Sequence, residues 1–135
     1  MDTAIITHLG ELRTEALHVR SGQRFVTDAP VDNKGRGEAF SPTDLLATAL
    51  ATCMLTTMDI VARDNGIELT GMTAHVVKHM ASGPRRVQRV EVRIALDGAR
   101  LSPADRALME RTAHGCPVAM SVHPDLVQEV SFTYR

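Results

Sequence analysis

Residues 41–66 begin Ser41-Pro42-Thr43-Asp44-Leu45-Leu46-Ala47-Thr48-Ala49-Leu50-Ala51-Thr52-Cys53 and run on through Met54 and Asn65 to Gly66. This stretch predicts one long helix. Ser41 is placed to cap its first turn. Pro42 fits the first helical position, and Asp44 sets a negative charge beside the positive helix end. Gly66 can take the left-handed conformation that stops the helix after about Asn65. Leu46, Ala49, Leu50, Cys53, Met54, Thr57, Ile60 and Val61 recur at helical spacing, which puts Cys53 in the middle of the expected buried face. The most apolar part, between Asp44 and Asp59, is expected to be too short for a membrane span.

Upstream, residues 29–40 hold one Pro and two Gly with no periodicity and read as a loop. Before them lie three short β runs, Ala4–Leu9, Leu12–Val19 and Gln23–Asp28, separated by Gly10-Glu11 and Ser21-Gly22. They predict an N-terminal antiparallel meander. Downstream, Ile67–Met80 and Val87–Leu96 read as a β-hairpin turning at Ser82-Gly83-Pro84. In its second arm Val90, Val92, Ile94 and Leu96 alternate with Glu91, Arg93 and Ala95, so one face is packed and the other wet. Ser102, Pro103 and Asp105 repeat the capping pattern and open a second helix that ends near Gly115. Cys116-Pro117 follows, then an expected short helix at Pro117–Ser121 and a last strand from Leu126 to Tyr134. The expected class is α+β, as a single domain over residues 1–135.

The 135 residues carry a formal net charge of −1. A nucleic-acid binder needs a basic surplus, and base-stacking platforms need aromatics; this chain has three Phe, one Tyr and no Trp. The start, Met1-Asp2-Thr3-Ala4, lacks a basic segment followed by an apolar one, so the expected location is cytoplasmic, without membrane or nucleic-acid partners. In that compartment the two cysteines, Cys53 and Cys116, do not announce a structural disulfide. Local electrostatics favour Cys116 as the more acidic thiol, because it precedes a helix start with free N–H groups. Cys53, on an apolar stripe, needs a positive group brought to it.

The segment Ser41 to Cys53 resembles the first-cysteine signature of the OsmC/Ohr family, the osmotically inducible and organic hydroperoxide resistance proteins. Cys116-Pro117-Val118, after the Ser102-Pro103 capped helix, resembles its second-cysteine signature. The order of elements agrees from about residue 4 to 135. The resemblance implies an intertwined α+β homodimer with active sites at the subunit interface. It also implies a thiol peroxidase acting on organic hydroperoxides. Cys53 is then the peroxidatic residue, oxidised to a sulfenic acid, and Cys116 the resolving residue that condenses with it to a disulfide. A dithiol reductant, of lipoyl type in the hydroperoxide branch, resets the pair.

In that branch an arginine near the first turn holds the thiolate. Arg20-Ser21-Gly22 resembles that segment, which makes Arg20 the first choice and Arg24 the second. A glutamate ten residues before the first cysteine orients the arginine there. Here that position is Thr43, and the acid is Asp44, nine residues before Cys53, as in general OsmC-like branches. Nine residues turn a helix through about 900°, so Asp44 projects opposite Cys53. Its roles are catalytic acid or plain helix-end acid; Glu38 in the loop is the other candidate to orient an arginine.

His75 with His79, and His114 with Cys116, lack the companion ligands of a metal motif, so no metal or other cofactor is expected. Arg85, Arg86, Arg89 and Arg93 read as a wet strand face. Met54, Met58 and Met120 read as gap-filling core or as lining of an apolar peroxide pocket. Two alternatives to the peroxidase stand beside it. One is an OsmC-like stress-protection or small-molecule binding protein without efficient turnover. The other is a different thiol chemistry with Cys53 as nucleophile.

Overall fold

The computed structural model describes residues 1–135. Its elements are β1 (Ala4–Gly10), β2 (Arg13–His18), β3 (Arg24–Asp28), a 3-10 turn at Val31–Asn33, α1 (Pro42–Asp64), β4 (Thr73–Ala81), β5 (Arg86–Leu96), α2 (Pro103–His114) and β6 (Val127–Tyr134). Strands β1-β2-β3 form one antiparallel sheet, and β4-β5-β6 form a second. The chain divides into two compact units, Met1–Leu46 and Ala47–Arg135.

In the first unit, β1 turns into β2 through Gly10, Glu11 and Leu12, all with positive φ (81°, 54° and 63°). Such a turn matches the right-handed twist of the strands it joins. Arg13, at the start of β2, pairs with Asp28 at 3.3 Å and with Glu38 at 2.9 Å. Asp28 is only 1% exposed and also accepts the Glu38 backbone N–H at 3.1 Å. That N–H bond first, and the Arg13 guanidinium after it, hold the Asp28 carboxyl below its ordinary range against the opposing effect of burial. Asp28 therefore ties the 29–40 loop back to the meander. Ile5, Ile6, Leu9 and Phe25 stay exposed on this sheet.

In the second unit the core lies between α1, the β4-β5-β6 sheet and α2. Leu50, Met54 and Met58 of α1 meet Val90, Val92, Ile94 and Leu96 of β5 and Met109 of α2. Each such side chain contributes about 1.5–3 kcal/mol on burial. β5 and β6 run parallel, because α2 makes the crossover between them. Tyr134 of β6 donates to Glu110 of α2 at 2.7 Å, and Arg106 stacks on its ring at 4.4 Å. Gly98 has to be a glycine here: a Cβ on it would lie 2.5 Å from that of Tyr134.

The expected helix ends are found. Ser41 and Asp44 exchange N–H bonds at 2.9 and 3.1 Å, and Ser102 with Asp105 does the same for α2. Gly66 closes α1 at φ 66°, with Gly66 N–H on Arg63 and Ile67 N–H on Ala62. Because Ile67 serves that closure, β4 begins only at Thr73 and not at Ile67. Pro117–Ser121 forms turns, not a helix. Helix α1, with 23 residues, is long and apolar enough to cross a membrane by length and composition. The expectation drawn from Asp44–Asp59 missed this, because it left out the apolar turn that follows.

Arg89 and Arg93 of the second hairpin are paired with carboxylates on the wet face. Glu91 of β5 takes Arg93 at 2.6 Å, His79 at 3.3 Å and Arg89 at 3.8 Å, and Arg89 also pairs with Glu129.

Candidate active site

The segment after α2, which carries Cys116, comes up against Cys53 of α1 through a contact of Val118 with its sulfur, and both cysteines are free thiols. The buried residues of α1 are Ala47, Leu50, Ala51, Met54, Met58 and Ala62. That stripe is rotated from the expected one, so Cys53 stands at its edge, half-buried. Cys116 is fully buried. The chain reverses after α2 at Gly115 and Pro117, which aims the Val118 N–H at Cys53 Sγ, 3.5 Å away. One helical turn beyond Cys53, the Thr57 hydroxyl lies 3.9 Å from the same sulfur. The Ala119 N–H reaches Cys116 Sγ at 3.4 Å.

These contacts set the two thiols apart. Burial pushes the Cys53 thiol up, but the Val118 N–H, the Cys116 thiol and the Thr57 hydroxyl together bring it below its ordinary value. Burial raises the Cys116 thiol; the Ala119 N–H opposes this, and the neighbouring Cys53 adds to the rise. This overturns the local electrostatic reading, in which Cys116 was the more acidic thiol. The free N–H of the post-α2 turn points at the partner sulfur, and full burial penalises a charge on Cys116 itself. The pair thus joins one thiol eased toward ionisation with one held back from it.

The remaining residues are placed as follows. Arg20 is exposed in the turn after β2 and has no hydrogen bond or ion pair. Arg24 is committed to Glu15 at 2.6 Å. Glu38 does hold an arginine, but it is Arg13, which the sequence reading passed over. Its signal was its place, directly after the Gly10-Glu11-Leu12 turn. Asp44 bonds the Ser41 backbone in the capping box of α1, and Thr43 lies 3.2 Å from the Ser41 hydroxyl. The Val118 N–H was also missed, since a backbone donor has no residue signature.

The OsmC-like protein family model matches residues 35–131. No curated protein matches the chain. Among solved structures, a Psychrobacter arcticus protein provisionally described as an osmotic stress induced and detoxification response protein is 51% identical. It covers 98% of this chain and 96% of its own, with a TM-score of 0.92. An organic hydroperoxide resistance protein OsmC from Legionella pneumophila shares the fold at 20% identity and TM-score 0.74, covering 98% of both chains. The organic hydroperoxide resistance protein OhrB of Bacillus subtilis does so at 17% identity and TM-score 0.67, again over 98% of both chains. With the family model spanning both cysteines and the fold matched over nearly its full length, the chain belongs to the OsmC-like protein family.

Proposed function

We propose that this chain is a cysteine-based peroxidase that reduces organic hydroperoxides in the cytoplasm. The observation that carries the reading is the pair of facing thiols with opposite shifts, Cys53 lowered and Cys116 raised. The Cys53 thiolate attacks the hydroperoxide; a sulfur–oxygen bond forms, the O–O bond breaks, and the alkoxide takes a proton and leaves as the alcohol. Cys53 is then a sulfenic acid. The Cys116 thiol attacks the Cys53 sulfur, its proton leaves with the hydroxyl as water, and a disulfide forms. An external dithiol, of the lipoyl type, reduces that disulfide by exchange and is itself oxidised. Names of two relatives that share the fold, both organic hydroperoxide resistance proteins, support the substrate class.

The working unit is a homodimer with an interface above roughly 2,000 Å². Support comes from α1, of which only a third of the most apolar window is buried, and from exposed Leu46 and Ile60 on that helix. The positive group for the thiolate is Arg20, the one candidate arginine without a carboxylate partner.

Turnover of cumene hydroperoxide with dihydrolipoamide tests the reading. Wild type consumes peroxide, and Cys53→Ser does not. Cys116→Ser gives a single turnover and a dimedone-trappable sulfenic acid on Cys53. Peroxide consumption surviving in Cys53→Ser, with sulfenic acid trapped on Cys116, reverses the roles. Wild type and both variants alike without activity leaves the binding or stress-protection reading in its place.

A further inference from the structure

Three threonines of this chain hold their hydroxyls against a neighbour within their own helix. Two follow the ordinary pattern for a helical threonine: Thr52 donates to the Ala49 carbonyl at 3.1 Å, and Thr112 to the Leu108 carbonyl at 2.7 Å. Thr57 does not. Its residue four back is Cys53, and its Oγ1 lies 3.9 Å from Cys53 Sγ, with no bond to the Cys53 carbonyl. A hydroxyl on a helix has one proton to give. Here the hydroxyl oxygen lies beside the sulfur, where either atom can donate, and the backbone acceptor is left to the regular ladder.

We infer that Thr57 is a positioning residue for Cys53, donating its hydroxyl proton to the sulfur once that sulfur is a thiolate and holding the side chain toward Val118 and Cys116. The inference rests on the reading of Cys53 as the attacking thiol. The geometry is suited to the task. Residues i and i+4 lie on one helix face, about 5–6 Å apart at Cβ, so a short hydroxyl reaches the sulfur without distorting the backbone. Sulfur is a weak acceptor as a thiol and a stronger one as an anion, so the contact favours the charged state. The Val118 N–H comes from the segment that carries Cys116, and it must shift if Cys116 moves to form the disulfide. Thr57 shares the helix of Cys53 and stays in place through the cycle. It gives the sulfur a donor that does not depend on the position of the resolving segment.

The test is the pH profile of Cys53 alkylation by iodoacetamide on the intact protein, read at Cys53 alone by mass spectrometry. Thr57→Val keeps the shape and removes the hydroxyl; it should slow alkylation near neutral pH by about three- to tenfold, move the profile to higher pH and leave the alkaline plateau in place. Thr57→Ser should restore the rate to within about twofold. A wild-type profile for Thr57→Val overturns the inference. So does a Thr57→Ser profile that matches Thr57→Val, which makes the effect one of packing. If circular dichroism shows that Thr57→Val does not fold, Thr57→Ala against Thr57→Ser gives the same comparison. Because no peroxide is used, a shifted profile without peroxide turnover rejects the peroxidase reading and keeps this one, and the reverse result separates them the other way.

Discussion

Oxidation should make this protein markedly more stable to heat, and the size of the effect follows from where the thiols lie in the chain. Cys53 and Cys116 are far apart in sequence, yet Val118, two residues after Cys116, places its N–H 3.5 Å from Cys53 Sγ. A disulfide between them closes a loop of about 64 residues. In the chain-entropy model that removes roughly 4 kcal/mol of freedom from the unfolded state. Cys116 is buried against the core and must turn toward Cys53, so strain takes back part of this. About 2–4 kcal/mol remains, near the usual range for such a bond. At the unfolding entropy of a chain this long, each kcal/mol moves the midpoint by about 3–4 °C. The expected rise is therefore about 6–15 °C. The measurement is scanning calorimetry on reduced protein and on protein treated with one equivalent of cumene hydroperoxide, with free thiols titrated in both. Cys116→Ser, treated in the same way, should show no rise. Two thiols lost without a rise in the midpoint, or disulfides found only between chains, would refute the reasoning.

Three further outcomes can be checked directly. Arg20→Met should slow Cys53 alkylation at neutral pH by about tenfold or more, worth about 1.4 kcal/mol, with unchanged kinetics moving the assignment to Arg24, Arg13 or backbone donors. Asp28→Asn should lower the thermal midpoint and flatten its acid limb. The folded Asp28 carboxyl is depressed, so its stabilisation is complete above the ordinary carboxylate range and is lost as pH falls through the lowered value; equal acid limbs in both proteins would contradict this. Ile60→Asp should shift sedimentation at low micromolar concentration toward the monomer, and a monomeric wild type would remove the dimer altogether.

The order of elements was legible because its signals are local. Ser41-Pro42 with Asp44, Ser102-Pro103 with Asp105, and Gly66 act within one helical turn, and each is found where its residues stand. Alternation in Val90, Val92, Ile94 and Leu96 likewise needs only the strand itself. What failed was the assignment of faces on α1. Its apolar residues cover more than one stripe, so spacing alone could not say which side the sheet takes. The packed side is that of Ala47, Leu50, Ala51, Met54 and Met58, where small residues alternate with long ones. Cys53 is left at the border, which is where a reactive sulfur has both a packed environment and a way to solvent.

The chemistry of the pair was the less legible part, for a related reason. From sequence, the N–H groups after Cys116 belong to Cys116, since they follow it in the chain. In space the turn of Gly115 and Pro117 delivers one of them, that of Val118, to a sulfur some sixty residues away, while Ala119 serves Cys116 itself. Acidity then follows the count of donors against the depth of burial. Cys53 is half-buried, with the Val118 N–H, the Cys116 thiol and the Thr57 hydroxyl easing its ionisation, and Cys116 is fully buried, with the Ala119 and Val118 N–H groups opposed by a neighbour that discourages a second charge. Two adjacent thiols cannot both ionise cheaply, so whichever does so first suppresses the other. That asymmetry suits a two-step cycle. The first thiol must be ionised when the peroxide arrives. The second must stay protonated and unreactive until the first has become an electrophile. The turn that follows α2 contributes to both, since it aims the Val118 N–H at Cys53 and carries Cys116 at full burial.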